Sequence, residues 1–271
     1  MSPSHAVRHL AVVGCVLFLF VASALAQASR TTEFQPQVGQ AGKDVVWVPT
    51  SQPVVDKMLD IAKVTSQDYV IDLGSGDGIT VITAAKRGAK ALGVEYNPDM
   101  VELSKRNAAN ARVSDRATFV KADLFETDFS QASVITMFLL PDINLKLRPK
   151  ILDLKPGTRI VSNTFTMGDW NADEEARITD ECTSWCTALL WIVPAKVEGR
   201  WRLPQAELRL KQTFQTFSGT LNNTPISDGK VKGAEISFAV GDNRYTGRVN
   251  GNVLEGTVSG GTNGQWRATR Q

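Results

Sequence analysis

Apolar positions along the chain fall into two rhythms. From Val45 to about Pro194, short apolar runs alternate with stretches of helical periodicity, which predicts βα units around a parallel sheet. Strands are expected at 69–73, 91–95, 117–120, 133–140 and 158–165. Ser51 is placed to cap a helix reaching about residue 64, with Val54, Val55, Met58, Leu59 and Ala62 on one face. Asn97-Pro98 starts another, the asparagine as cap and the proline in the first turn, where a missing N–H is harmless. Segments 176–180 and 187–193 read as an antiparallel pair at the sheet edge, with Cys182 and Cys186 in the turn between them.

From Val197 helical periodicity disappears and alternating strands take over, at 200–203, 207–214, 230–238, 243–249, 253–258 and 265–269. Ser227-Asp228-Gly229, Gly241-Asp242 and Asn250-Gly251 read as turns. Glycine recurs within the strands (Gly219, Gly233, Gly247, Gly256), where it permits close backbone approach or tight coiling. The expected form is a small antiparallel sheet or partial barrel, with Leu208, Leu210, Phe214, Ile236 and Phe238 on its buried face.

The first residues read differently. His5, Arg8 and His9 precede an apolar run from Leu10 to Ala26, and Ala24 and Ala26 supply a small-x-small cleavage site. That predicts a secretory signal peptide over 1–26 and export from a bacterial cytoplasm to the periplasm or beyond. The alternative is an uncleaved membrane anchor, although the run is shorter than the roughly 20 residues a spanning helix needs. The remaining organisation is an N-terminal extension over 27–43, an α/β domain over 44–196 and the β domain over 197–271. Cys182 and Cys186 survive processing, and an oxidising compartment favours a disulfide between them. With 30 Lys and Arg against 28 Asp and Glu, the chain has no electrostatic footprint for nucleic acid. Two cysteines with no further ligands nearby do not make a metal site.

The chemistry-bearing stretch is Asp72-Leu73-Gly74-Ser75-Gly76-Asp77-Gly78, between a predicted strand and a predicted helix. Alternate glycines let the backbone turn sharply and lie against a ligand with no Cβ in the way. The spacing is G-x-G-x-G, not the G-x-G-x-x-G of dinucleotide sites, and Asp77 would sit badly beside a pyrophosphate. A ligand carrying a sulfonium and an ammonium suits the acids better. Glu95 ends the second strand, where a carboxylate can accept from both hydroxyls of a ribose, and Asp123 follows the third, placed to accept from an adenine amino group.

These segments, together with Gly93-Val94-Glu95-Tyr96-Asn97-Pro98 and Ala122-Asp123-Leu124-Phe125, resemble the first three motifs of class I S-adenosylmethionine-dependent methyltransferases. Val48-Pro49-Thr50 and Phe138-Leu139-Leu140-Pro141 are similar to the small protein-lysine methyltransferases that modify ATP synthase c subunits. The resemblance implies a Rossmann-like seven-strand sheet, S-adenosyl-L-methionine as cofactor and methyl transfer to an amine, a protein lysine being that subfamily's acceptor. It carries cofactor contact onto Asp72, Gly74, Ser75, Gly76, Asp77, Gly78, Glu95, Tyr96, Asp123 and Leu124. The Asn/Asp-Pro-Pro-aromatic box of enzymes that methylate amide or ring nitrogens is replaced by Leu139-Leu140-Pro141-Asp142, which counts against nucleobase substrates.

A lysine acceptor must lose a proton from a pKa near ~10.4, and an apolar rim assists by lowering it. Trp47, Thr50, Leu140, Pro141 and Trp170 are the expected rim, with Asp142 placed to steer or deprotonate the amine. Both histidines precede the predicted cleavage site, so the commonest general base is missing from the mature chain. Because S-adenosylmethionine is made in the cytoplasm, two other readings stand beside an active enzyme: an exported adenosyl-metabolite-binding module, and an envelope interaction protein working through its β domain.

Overall fold

The computed structural model describes residues 34–271, so the signal-peptide reading of 1–26 lies outside the described residues. Seven strands form the first sheet: β1 (Tyr69–Leu73), β2 (Lys90–Glu95), β3 (Ala117–Lys121), β4 (Val134–Met137), β5 (Arg159–Asn163), β6 (Glu174–Arg177) and β7 (Thr187–Ile192). Their order is β3-β2-β1-β4-β5-β7-β6. The first five are parallel, β7 runs antiparallel to β5, and β6 antiparallel to β7. The helices are α1 (Gln52–Ile61), α2 (Ile79–Lys86), α3 (Pro98–Asn110) and α4 (Pro141–Leu152).

Period-two alternation in the strands feeds two cores. Val70, Val134 and Val161 join the cluster built on α1, α2 and α3, whereas Ile71, Leu73, Ile135, Met137 and Ile160 join the one built on α4, Phe129 and Trp191. The order reverses between β1 and β4, which opens a crevice at the carboxyl ends of those strands.

Several boundaries differ from expectation. The strand read over 133–140 ends at Met137, because Leu140 is already the N-cap of α4 with Pro141 in its first turn. That helix was not expected, and it carries Pro149 inside it. Ser51 is the N-cap residue of α1 but its side chain makes no capping bond, whereas Asn97 Oδ1 accepts from the Asp99 N–H at 2.9 Å as anticipated. The edge pair is β6 with β7 as expected, β6 starting two residues earlier and β7 at the expected Thr187, and Cys182 and Cys186 in the connection are disulfide-bonded.

The second sheet contains β8 (Gly199–Leu203), β9 (Ala206–Thr213), β10 (Thr216–Leu221), β11 (Thr224–Pro225), β12 (Ser227–Lys232), β13 (Glu235–Val240), β14 (Asn243–Asn250), β15 (Val253–Ser259) and β16 (Gly264–Arg270). Pairing of β10 with β9 closes it into an antiparallel barrel around Trp201, Leu208, Phe238 and Trp266. The segment read as one strand over 230–238 is a hairpin turning at Gly233-Ala234. Ser227-Asp228-Gly229, read as a turn, lies in β12, where Asp228 at φ +52° accommodates a register shift. The recurring glycines do allow close approach: a Cβ on Gly256 would lie 1.9 Å from the Thr246 carbonyl oxygen.

Phe214 is not part of the barrel core. It occupies the β9–β10 turn at φ +52° and stacks on Trp170 at 5.8 Å, joining the α4-side core of the first sheet. Gln215 Nε2 donates to the Asn171 carbonyl at 2.8 Å, and the Ala195 N–H to the Gly233 carbonyl at 2.8 Å, along the same junction.

Candidate active site

At the crevice, β1 delivers Asp72, 6% exposed, beside Thr136 of β4, whose hydroxyl donates to Asp72 Oδ1 at 2.6 Å. Burial pushes the Asp72 carboxyl up to about 7, the Thr136 hydrogen bond opposing and the charges of Asp77 and Glu95 adding to the rise. The glycine loop that follows is fastened from behind. The N–H groups of Gly74 and Ser75 both donate to the Val94 carbonyl, Ser104 Oγ donates to the Gly76 carbonyl at 2.8 Å, and Asn107 Nδ2 to the Asp77 carbonyl at 2.9 Å. A loop so anchored presents a fixed surface. Asp77 is also raised by burial, opposed by the Ile79 N–H bonded to its Oδ1.

Gly76, at φ +53°, is required twice over: its backbone is left-handed, and a Cβ there would meet the Trp47 indole nitrogen at 2.7 Å. Glu95 accepts from the Gly76 N–H at 3.0 Å through Oε2 and from the Asn97 N–H at 2.9 Å through Oε1. Each oxygen keeps a further lone pair for a ligand hydroxyl. Asp123 accepts from the Phe125 N–H and from the Lys43 ammonium, and the Lys43 contact in particular holds its carboxyl below the usual range.

These residues line one open cavity of about 200 Å³, with Asp72, Gly74, Ser75, Gly76, Asp77, Glu95, Tyr96, Asp123 and Leu124 all on its wall. Gly78 is not. A Cβ there would meet the Phe119 ring at 2.8 Å, so its φ of +84° serves the start of α2 and packing beneath the loop. Of the expected rim, Trp47, Thr50 and Leu140 line the cavity. Pro141 and Asp142 lie outside the lining, exposed on the first turn of α4. Trp170 is fully buried between Trp191 and Phe214, because the barrel packs over the face where it was expected to be open.

Other walls were not anticipated. The strap 40–47, whose residues 40–43 belong to the expected N-terminal extension and whose Trp47 is an expected rim residue, is closed by the Trp47 N–H bonded to the Gln40 carbonyl and the Gly39 N–H to the Trp47 carbonyl. Lys43 of this strap sits 5.2 Å from the Tyr96 ring centroid, its own pKa raised chiefly by Asp123. Phe138, Phe165 and Trp185 complete the mouth. Phe138 follows β4 directly and Phe165 is the second residue after β5, and that position at a strand's carboxyl end was the available signal. Among the described residues no cluster of His, Cys, Asp and Glu could hold a metal, and no helix is long and apolar enough to cross a membrane.

The site fits an adenosyl amino acid. Ser75 Oγ is buried with no partner, Gly76 leaves a cradle a Cβ would fill, and acceptors for amine and hydroxyl donors stand at three successive strand ends. Residues 72–174 match the ANTKMT methyltransferase domain. A protein-lysine N-methyltransferase of Saccharolobus islandicus (strain REY15A) is 47% identical over 139 residues, 50% of this chain and 86% of that protein. The lysine N-methyltransferase of the ATP synthase c-subunit from Mus musculus is 38% identical over 128 residues, 47% of this chain, which spans only 51% of that relative. A crystal structure of an RNA methyltransferase from Salinibacter ruber with S-adenosyl-L-homocysteine shares 43% identity, covering 55% of this chain and 96% of that one at a TM-score of 0.52. The chain therefore belongs to the S-adenosylmethionine-dependent methyltransferases, and S-adenosylmethionine is its methyl donor.

Proposed function

We propose that the protein methylates the ε-amine of lysine in a protein acceptor. The observation that carries this reading is a single cavity with carboxylates at its floor and an apolar, aromatic mouth made by Leu140, Phe138, Phe165 and Trp185. S-adenosylmethionine supplies a methyl group already activated on a sulfonium. The chain's own task is then to hold the donor, align the amine and keep water away. In this reading Asp72 and Asp77 hold the ammonium of the donor, Glu95 its ribose and Asp123 its adenine, supported by their shared lining of one cavity and by the unpartnered Ser75 Oγ beside them.

At the mouth, burial of the incoming lysine lowers its pKa and releases the proton to solvent before transfer. Asp142 and Pro141, exposed on the first turn of α4 next to Leu140, serve the acceptor's approach from outside. The lysine methyltransferases among the relatives support a protein acceptor. The Salinibacter ruber relative raises RNA as the competing one, against which stand the near-even charge of the chain and the sequence Leu139-Leu140-Pro141-Asp142 after β4.

We propose further that 1–26 is a signal peptide and that the enzyme works in the periplasm or outside the cell. The Cys182–Cys186 bond supports this, since disulfides persist in oxidising compartments. N-terminal sequencing that found the Leu10–Ala26 run on the mature protein would favour the anchored alternative. The acceptor reading is tested with tritiated S-adenosylmethionine, offering envelope protein and total RNA separately. Label recovered as methylated lysine after protein hydrolysis is the expected result, and label confined to RNA would overturn it.

A further inference from the structure

Trp185 lies between the cysteines of the 182–186 disulfide, lines the mouth of the cavity and is 42% exposed. Its φ is +55°, as is that of Glu181 just before the loop. The left-handed region is unfavourable for a bulky side chain, and such residues persist where the surroundings over-determine them. Here the covalent ring does so. The Trp185 ring meets Phe138 edge-on at 5.9 Å, and Phe138 stacks on Phe165 at 5.7 Å. The three rings arrive from the end of β4, the end of β5 and the β6–β7 connection, and all three line the cavity.

We propose that Trp185, Phe138 and Phe165 form the wall that receives the acceptor's alkyl-ammonium side chain, with Trp185 at its entrance. The Cys182–Cys186 bond holds Trp185 in place, so acceptor binding depends on the oxidised state. This rests on the lysine reading above. Aromatic faces attract a cation through the ring quadrupole while excluding water from the alkyl stem, which suits a lysine on its way to being desolvated. The acids lie on β1 and in the loop after it, on β2 and in the turn after β3, so the row is expected to act on the acceptor and not on S-adenosylmethionine. Dithiothreitol would open the bond to two thiols, being itself oxidised to its cyclic disulfide, and free the loop to leave its left-handed conformation.

The test uses poly-L-lysine as the amine probe and tritiated S-adenosylmethionine as donor, with cofactor affinity measured separately by calorimetry. Trp185→Ala and the Cys182→Ser/Cys186→Ser pair should each raise the KM for poly-L-lysine about tenfold. Dithiothreitol should do the same to the unmodified protein, which covers a serine variant that fails to fold. Trp185→Phe should restore most of the loss, and the S-adenosylmethionine Kd should stay within about twofold throughout. An unchanged KM in Trp185→Ala overturns the inference alone, as does a parallel loss of cofactor affinity, which would assign the row to the donor. A protein that binds S-adenosylmethionine yet transfers nothing to poly-L-lysine overturns the lysine reading and this inference with it.

Discussion

Thr136 Oγ1 donates to Asp72 Oδ1 at 2.6 Å, across the pair of strands between which the sheet reverses its order. The hydroxyl favours the carboxylate, while burial drives the Asp72 pKa up to about 7. An unfolded chain holds that carboxyl near ~3.9, so between about pH 4 and 7 the folded state binds more protons than the unfolded one. Stability should therefore fall as pH rises through that window and level off above it, by a few kcal/mol in all. Binding a cationic ligand beside Asp72 should reverse the preference and release a proton. S-adenosylmethionine affinity should then climb from pH 5.5 to about 7 and flatten, up to about tenfold per unit. Calorimetry in two buffers of different ionisation enthalpy measures the proton, and Asp72→Asn should remove most of its release and of the pH dependence, the remainder belonging to Asp77, which burial also raises.

On the proposed adenine role of Asp123, Lys43 competes with the cofactor for it. The Lys43 ammonium bonds that carboxylate. Lys43→Ala should tighten S-adenosylmethionine binding by less than about tenfold, with the gain greatest at low ionic strength, where the pair is least screened. Weaker binding in that variant would instead make the strap a closing element of the bound state.

The seat of Phe214 on Trp170 joins the two sheets. Phe214→Ala should lower stability by about 2 kcal/mol, less than a fully buried ring because Phe214 is half-buried. Urea denaturation followed by tryptophan fluorescence reads this, and cofactor affinity should not change, since neither ring lines the cavity.

The parts of the site within local reach were legible in the sequence. Asp72, the alternating glycines, Glu95 and Asp123 each follow or end an apolar strand, so the strand pattern alone puts them at one edge of a sheet. What long-range packing decides was not legible. Trp170 and Trp185 are both tryptophans in the polar stretch after β5, yet the barrel buries one and a five-residue disulfide loop holds the other at the cavity mouth. Lys43 acts on a partner eighty positions away, with no periodicity to betray it. In the barrel, Ser227-Asp228-Gly229 carries turn chemistry but is drawn into β12 as an irregularity, while the turn falls at Gly233-Ala234. Helix α4 was hidden by Pro149 within it and by Leu145 on its exposed side.

The cavity's role as the S-adenosylmethionine site is tested most directly by titration calorimetry of the purified protein with that ligand, beside a Glu95→Ala variant. Glu95 accepts from the Gly76 and Asn97 N–H groups, and on the proposed reading its remaining acceptor capacity serves the ribose. The wild type should bind one equivalent, and Glu95→Ala should fold normally while losing about 1.5–3 kcal/mol of affinity, the worth of hydrogen bonds to a charged group. Equal affinity in the two proteins, or no binding by the wild type, would contradict the assignment of this cavity.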